Sequence, residues 1–173
     1  MNTLTSWPVG SFITKQIRED IPQGLARLNN QILAFGRETV EVFYNAGLTP
    51  DPLGRLQYLH QRIGLRATPH YWDGAYYTIL KNRMYFVGWD SAATYAERVF
   101  SYNGSIFERI STPFIERILQ SANGYYSIDT FSFHSGSGIA ISLSADSSIS
   151  TQRALLFFPD WNDWFELEST VFS

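Results

Sequence analysis

Cysteine is absent from this chain, which excludes disulfide staples, thiolate nucleophiles and every cysteine-liganded zinc or iron–sulfur centre. Histidine is scarce. His60, His70 and His134 are the only three, and none stands in an HxH, HxxxH or HExxH arrangement, so no metal site is read from spacing. The chain also lacks GxxxxGK[ST], GxGxxG and GxSxG sequences, which removes the phosphate cradles and the nucleophile elbow, and no cofactor is expected. No stretch approaches the roughly 18 apolar residues of a membrane-spanning helix. The opening MNTLTSWPVGSFITKQIRED has no basic leader followed by an apolar run, so the expectation is a cytoplasmic protein, or part of a particle assembled there, with no membrane partner.

Positive charge is also in short supply, since the net charge is −3, and this argues against a nucleic-acid partner. The sign is unevenly spread. Residues 1–88 carry nine Lys/Arg against six Asp/Glu, whereas 89–173 carry four against ten, a polarity that favours head-to-tail self-association or a charged partner at one end. Only Lys15 and Lys81 are lysines; the other basic residues are Arg, whose planar fork suits interfaces.

What the chain has in excess is aromatic side chains, 13 Phe, 10 Tyr and 5 Trp in 173 residues. A chain of this length reads as a single domain over 1–173 and folds with roughly 70% of its unfolded surface buried, so no staple is needed. The aromatic excess raises the expectation of a binding surface without locating it.

The first third reads as helical. Leu25, Leu28, Ile32, Phe35, Val40 and Phe43 keep a three-to-four spacing from Pro22 to the stop at Gly47 and Pro50, although Gly36 interrupts the run. A second helix fits 51–63, capped by Asp51, with Leu53, Leu56, Leu59 and Ile63 on one face. "AYYTIL" and "MYFVGW", divided by Lys81-Asn82-Arg83, then give a β-hairpin near 75–88. Asp90 caps a predicted helix to about Tyr102, and Thr112-Pro113 starts a short one carrying Phe114, Ile118 and Leu119, which Asn123-Gly124 ends. From Tyr125 onward the alternation is two-residue, and four runs predict a C-terminal four-stranded meander. The fold class expected is therefore α+β, with N-terminal and central helices packed on a curved antiparallel sheet. This order of elements, without any motif, resembles the cone-shaped folds of the nuclear-transport-factor-2-like kind, which implies a pocket for a small apolar ligand.

Three groups of residues are candidates for function. His70 and Asp73, three apart among aromatic residues, could act as a general base and its orienting carboxylate. A pocket between helices and sheet would be walled by Trp72, Tyr77 and Trp89, with His60 and Asp129 as further polar groups. The strongest interaction signal is "FFPDWNDWFELE": Trp161 and Trp164 stand in or beside a turn flanked by Asp160, Asp163, Glu166 and Glu168, the pattern of a hot spot for a basic partner. Glu166-Leu167-Glu168 also resembles the late Glu-x-Glu of ADP-ribosyltransferases. Here, however, Ser111-Thr112 precedes a proline at a helix start and the early Arg residues lie on predicted helices, so the two carboxylates read as a solvated sheet face.

The expectation is a non-enzymatic structural or protein-interaction subunit of a larger assembly such as a virion, with a protein partner or a second copy bound through aromatic and acidic patches. The alternatives are a small-molecule binding protein or enzyme with an aromatic pocket, and an inhibitor or immunity-type protein with an acidic face.

Overall fold

The computed structural model describes residues 20–48, 52–56, 62–65, 77–90, 96–122, 126–134, 136–143 and 151–170. These form three antiparallel sheets and one helix. The first sheet contains β1 (Pro22–Leu28), β2 (Gln31–Gly36), β3 (Val40–Asn45) and β4 (Leu53–Arg55), side by side in chain order. The middle sheet contains β5 (Ile63–Leu65), β6 (Tyr77–Leu80), β7 (Arg83–Asp90), β8 (Ala96–Tyr102) and β9 (Phe107–Arg109). In it β7 has β8 along one side; along the other, β6 pairs with Arg83–Phe86 and β5 with Gly88–Asp90. Helix α1 (Pro113–Ser121) follows, and the third sheet is a meander of β10 (Tyr126–Phe133), β11 (Gly136–Leu143), β12 (Thr151–Phe158) and β13 (Asp163–Thr170).

The middle sheet is buried on both faces. Alternation along β7 and β8 sends Met84, Phe86, Phe100 and Tyr102 into one core with Leu33, Phe35, Val40 and Val42 of the first sheet. It sends Tyr85, Val87 and Val99 into a second core with Ile115, Ile118 and Leu119 of α1 and Ile139, Ile141, Leu155 and Phe157 of the third sheet. Uninterrupted apolar runs such as Met84–Val87 are what a strand covered on both sides requires. Rings lock the first core, with Phe86 5.1 Å from Phe35 and 5.6 Å from Phe100. In the second core burial pushes the Tyr85 phenol above its ordinary 10.0, with Arg83 opposing the shift. The first sheet and β5 meet closely at Gly64, where a Cβ would lie 1.8 Å from the Arg37 carbonyl oxygen; only glycine admits that approach.

The α+β expectation fails, and with it the likeness to a cone-shaped fold: the described residues are mostly strand, with one nine-residue helix. The apparent helix over Leu25–Phe43 is three strands. Asn29, at φ 54°, and Asn30 turn β1 into β2, and residues 37–39 turn β2 into β3. Each turn resets the phase of a two-residue alternation, so positions three or four apart in the sequence lie on opposite faces of the sheet. Leu28, Phe35 and Val40 point into the core, while Leu25, Ile32 and Phe43 belong to the other face. The expected helix over 51–63 is replaced by β4 and β5 at its two ends, and residues 51 and 57–61 lie outside the described set. The helix expected from Asp90 is replaced by β8, which begins at Ala96. Its Arg98 guanidinium pairs with Asp90 of β7.

The hairpin and the meander do appear. Lys81 and Asn82, at φ 50° and 60°, form a two-residue turn between Leu80 and Arg83, the mirror-image turn that matches strand twist. Helix α1 starts where its signals place it, with Thr112 as N-cap and Pro113 in the first turn. Its buried face is Ile115, Ile118 and Leu119, and Phe114 is exposed. Among the described residues no helix is long and apolar enough to cross a membrane.

Candidate interaction surface

The turn from β12 to β13 is built by its own residues. The Trp161 amide donates to the Phe158 carbonyl at 3.1 Å across Pro159-Asp160, a turn whose second position suits proline. Asn162 takes φ 53° and leads into β13, whose eight residues pair with β12 from Phe158↔Asp163 to Thr151↔Thr170.

This register separates two faces. Trp164 and Glu166 share the inner face with Phe157 and Leu155, whereas Phe165 and Leu167 share the outer face with Leu156 and Ala154. On the outer face Phe158 is a hub: Trp161 stacks on it at 5.0 Å, and Phe165 and Phe131 meet it edge-on, each at 5.3 Å. Gly138 makes room for this, because a Cβ there would stand 2.7 Å from the Phe131 ring. The ring cluster remains open to solvent. Trp161 is 62% exposed, Phe165 45% and Leu167 55%. Ala140, Ser142 and Ala154 form a low floor beside it on the same face. Asp129, Asp160 and Asp163 are exposed around it, and Asp160 accepts from Lys81 Nζ at 2.6 Å.

No protein-family model matches this chain, and no curated protein is similar to it.

The predicted interaction residues separate on inspection. Trp161 is an exposed ring, but Trp164 is anchored: its indole donates to the Ile110 carbonyl at 2.9 Å and packs on Phe157 at 4.9 Å. Asp163 caps the start of β13 by accepting from the Trp164 amide. Glu166 is half-buried and accepts from Arg153 Nε at 2.8 Å, while Glu168 is exposed. Thus the two glutamates share a face, as strand spacing dictates, and one is committed to a cross-strand ion pair. The early Arg27 and Arg55 lie on β1 and β4, not on helices.

Of the pocket candidates, His60, His70, Trp72 and Asp73 lie outside the described residues. The other three stand on different surfaces. Tyr77 packs against the first core, Trp89 follows Tyr85 and Val87 on the opposite face of β7, and Asp129 is exposed on the outer face of the third sheet. Among the described residues no group of three or more His, Asp and Glu is placed to hold a metal ion.

A polar cluster without a linear motif docks α1 on the middle sheet. Glu116 accepts from Arg109 Nε at 2.6 Å and Nη2 at 2.7 Å, and from the Ser111 hydroxyl at 2.7 Å. Arg98 lies 3.8 Å away and pairs with Asp90, and the Ser111 hydroxyl accepts from the Val99 amide. Each charge faces an opposite one, which is the condition for burying such groups, although Arg98 Nε itself makes no hydrogen bond among the described residues. The sequence signal was the first-turn position of Glu116 on a capped helix.

Proposed function

We propose that this chain is a non-enzymatic interaction subunit of a larger assembly, acting in the cytoplasm or on a particle assembled there, that binds a protein partner through the outer face of its third sheet. The observation that carries this reading is the exposure of Trp161, Phe165 and Leu167 together around Phe158, rimmed by aspartates. Large rings held in fixed positions give contact area at small entropic cost, and an acidic border adds orientation and selects a basic partner.

The native mass of the untagged chain in extract of its source tests the reading. A stable complex is expected, and Trp161→Ala together with Phe165→Ala is expected to release the chain from it while leaving the fold intact, because both rings are exposed. A free monomer in extract, or a complex indifferent to the double substitution, would remove the basis for the proposal.

A further inference from the structure

The aromatic face ends in a strand edge that no other described strand pairs. β13 is the last strand of its sheet, and among the described strands it pairs with β12 alone, over eight register pairs without a bulge. It contains no proline, lysine or inserted residue, and the charges it carries, Asp163, Glu166 and Glu168, are all acidic, which discourages pairing with another acidic edge. The other margin of that sheet, β10, packs against β6.

A second edge that no other described strand pairs lies at the far end of the described chain. β1 is the outer strand of the first sheet and pairs only with β2 among the described strands. Its outer face displays Leu25, 71% exposed, and the exposed Arg27. Pro22 and the irregularity between Pro22 and Gly24 protect the start of β1, so Gly24–Leu28 is the segment available for pairing. The charges of the two sheets are complementary. Among the described residues the exposed charged side chains are Arg27 and Arg37 in the first sheet and its turns, and Asp129, Asp160, Asp163 and Glu168 in the third.

Building on the reading that the β13 face is a protein-docking surface, we infer that its occupant is a second copy of this chain, which adds its β1 antiparallel to β13. Pairing keeps outer residues opposite outer residues, so the allowed registers differ by steps of two. One of them sets Leu25 opposite Phe165 and Arg27 opposite Asp163, with Ala26 opposite Trp164 on the inner face. A step one way puts Leu25 against Asp163. A step the other way leaves Arg27 against Phe165, without its carboxylate. The contact is heterologous: each copy offers β1 to one neighbour and β13 to another, so copies associate head to tail into a ring or an open chain.

The test uses the purified full chain in analytical ultracentrifugation. Association rising with concentration and passing beyond a dimer is expected, weakened as ionic strength goes from about 50 mM to about 500 mM. Leu25→Glu and Phe165→Glu change exposed positions, and each alone is expected to weaken self-association by about tenfold or more. An equimolar mixture of the two variants retains one intact β1 edge and one intact β13 edge, so it forms discrete dimers and nothing larger. Because the chain has no cysteine, Leu25→Cys mixed with Phe165→Cys should give a disulfide-linked dimer on oxidation, and neither variant alone should.

Self-association of Leu25→Glu at the wild-type strength, or cross-linking of Phe165→Cys to itself, would overturn the inference in favour of a two-fold β13 contact. A chain that stays monomeric when pure but enters a complex in extract through Trp161 and Phe165 would overturn it while leaving the docking-surface reading standing.

Discussion

Glu116 illustrates how single residues hold this fold together. Its carboxylate, buried although Arg109 reaches it from the surface, receives hydrogen bonds from Arg109 and Ser111 and lies beside Arg98, joining α1 to β8 and β9. Removing Glu116 leaves the buried Ser111 hydroxyl and the half-buried Arg98 without this partner, whereas Arg109 can turn to water. Glu116→Ala is expected to lower stability by about 2–3 kcal/mol in urea unfolding, and Glu116→Gln by clearly less, since the amide retains the shape and part of the bonding. By contrast, the exposed Lys81–Asp160 pair is worth little, because water screens it. A sequence reading ranks carboxylates by spacing and so prefers Glu166 and Glu168. The partners of Glu116 lie on separate elements, and nothing in a linear pattern brings Arg98, Arg109 and Ser111 to one point.

Turns decide the elements. Two-residue turns at Asn29-Asn30 and Lys81-Asn82 convert adjacent runs into hairpins. Between "AYYTIL" and "MYFVGW" the polar Lys81-Asn82 turn is legible in the sequence, and the strands follow. Asn29-Asn30 lies inside a run of evenly spaced apolar residues, so three strands take on the appearance of a helical stripe. The strand character of that stretch was nevertheless written in Thr39, Val40 and Val42, whose branched side chains suit a pleated surface. The Lys81-Asn82 turn has two non-glycine residues in the left-handed region, which costs energy that an Asn-Gly turn avoids. Lys81→Asn with Asn82→Gly is therefore expected to stabilise the chain by about 1 kcal/mol, read as a rise of about 2–4 °C in Tm by calorimetry. An unchanged or lower Tm would mean that the Lys81 side chain contributes more than its exposure suggests.

At the scale of the molecule, β7 and β8 serve two cores at once, with alternate residues facing the first sheet on one side and α1 and the third sheet on the other. Neither core can lose these strands without exposing the other. Urea unfolding is expected to be one cooperative transition, with tryptophan fluorescence and far-ultraviolet circular dichroism coinciding; two separated transitions would show that the cores unfold independently. The proposed association belongs to this scale too, since it uses a basic edge near one end of the chain and an acidic edge near the other, matching the charge polarity of the sequence.

Composition and local pattern alone determined the aromatic excess, the absence of thiol chemistry, the separation of charge, the β-hairpin, the capped helix and the C-terminal meander, because turn chemistry and two-residue alternation act between neighbours. Tertiary structure decided the rest. It set the number of sheets, placed Leu25 and Leu28 on opposite faces, anchored the half-buried Trp164 and left Trp161, Phe165 and Leu167 outside. Whether an apolar side chain is core or surface depends on which sheet covers its face, and that cover comes from residues distant in the chain.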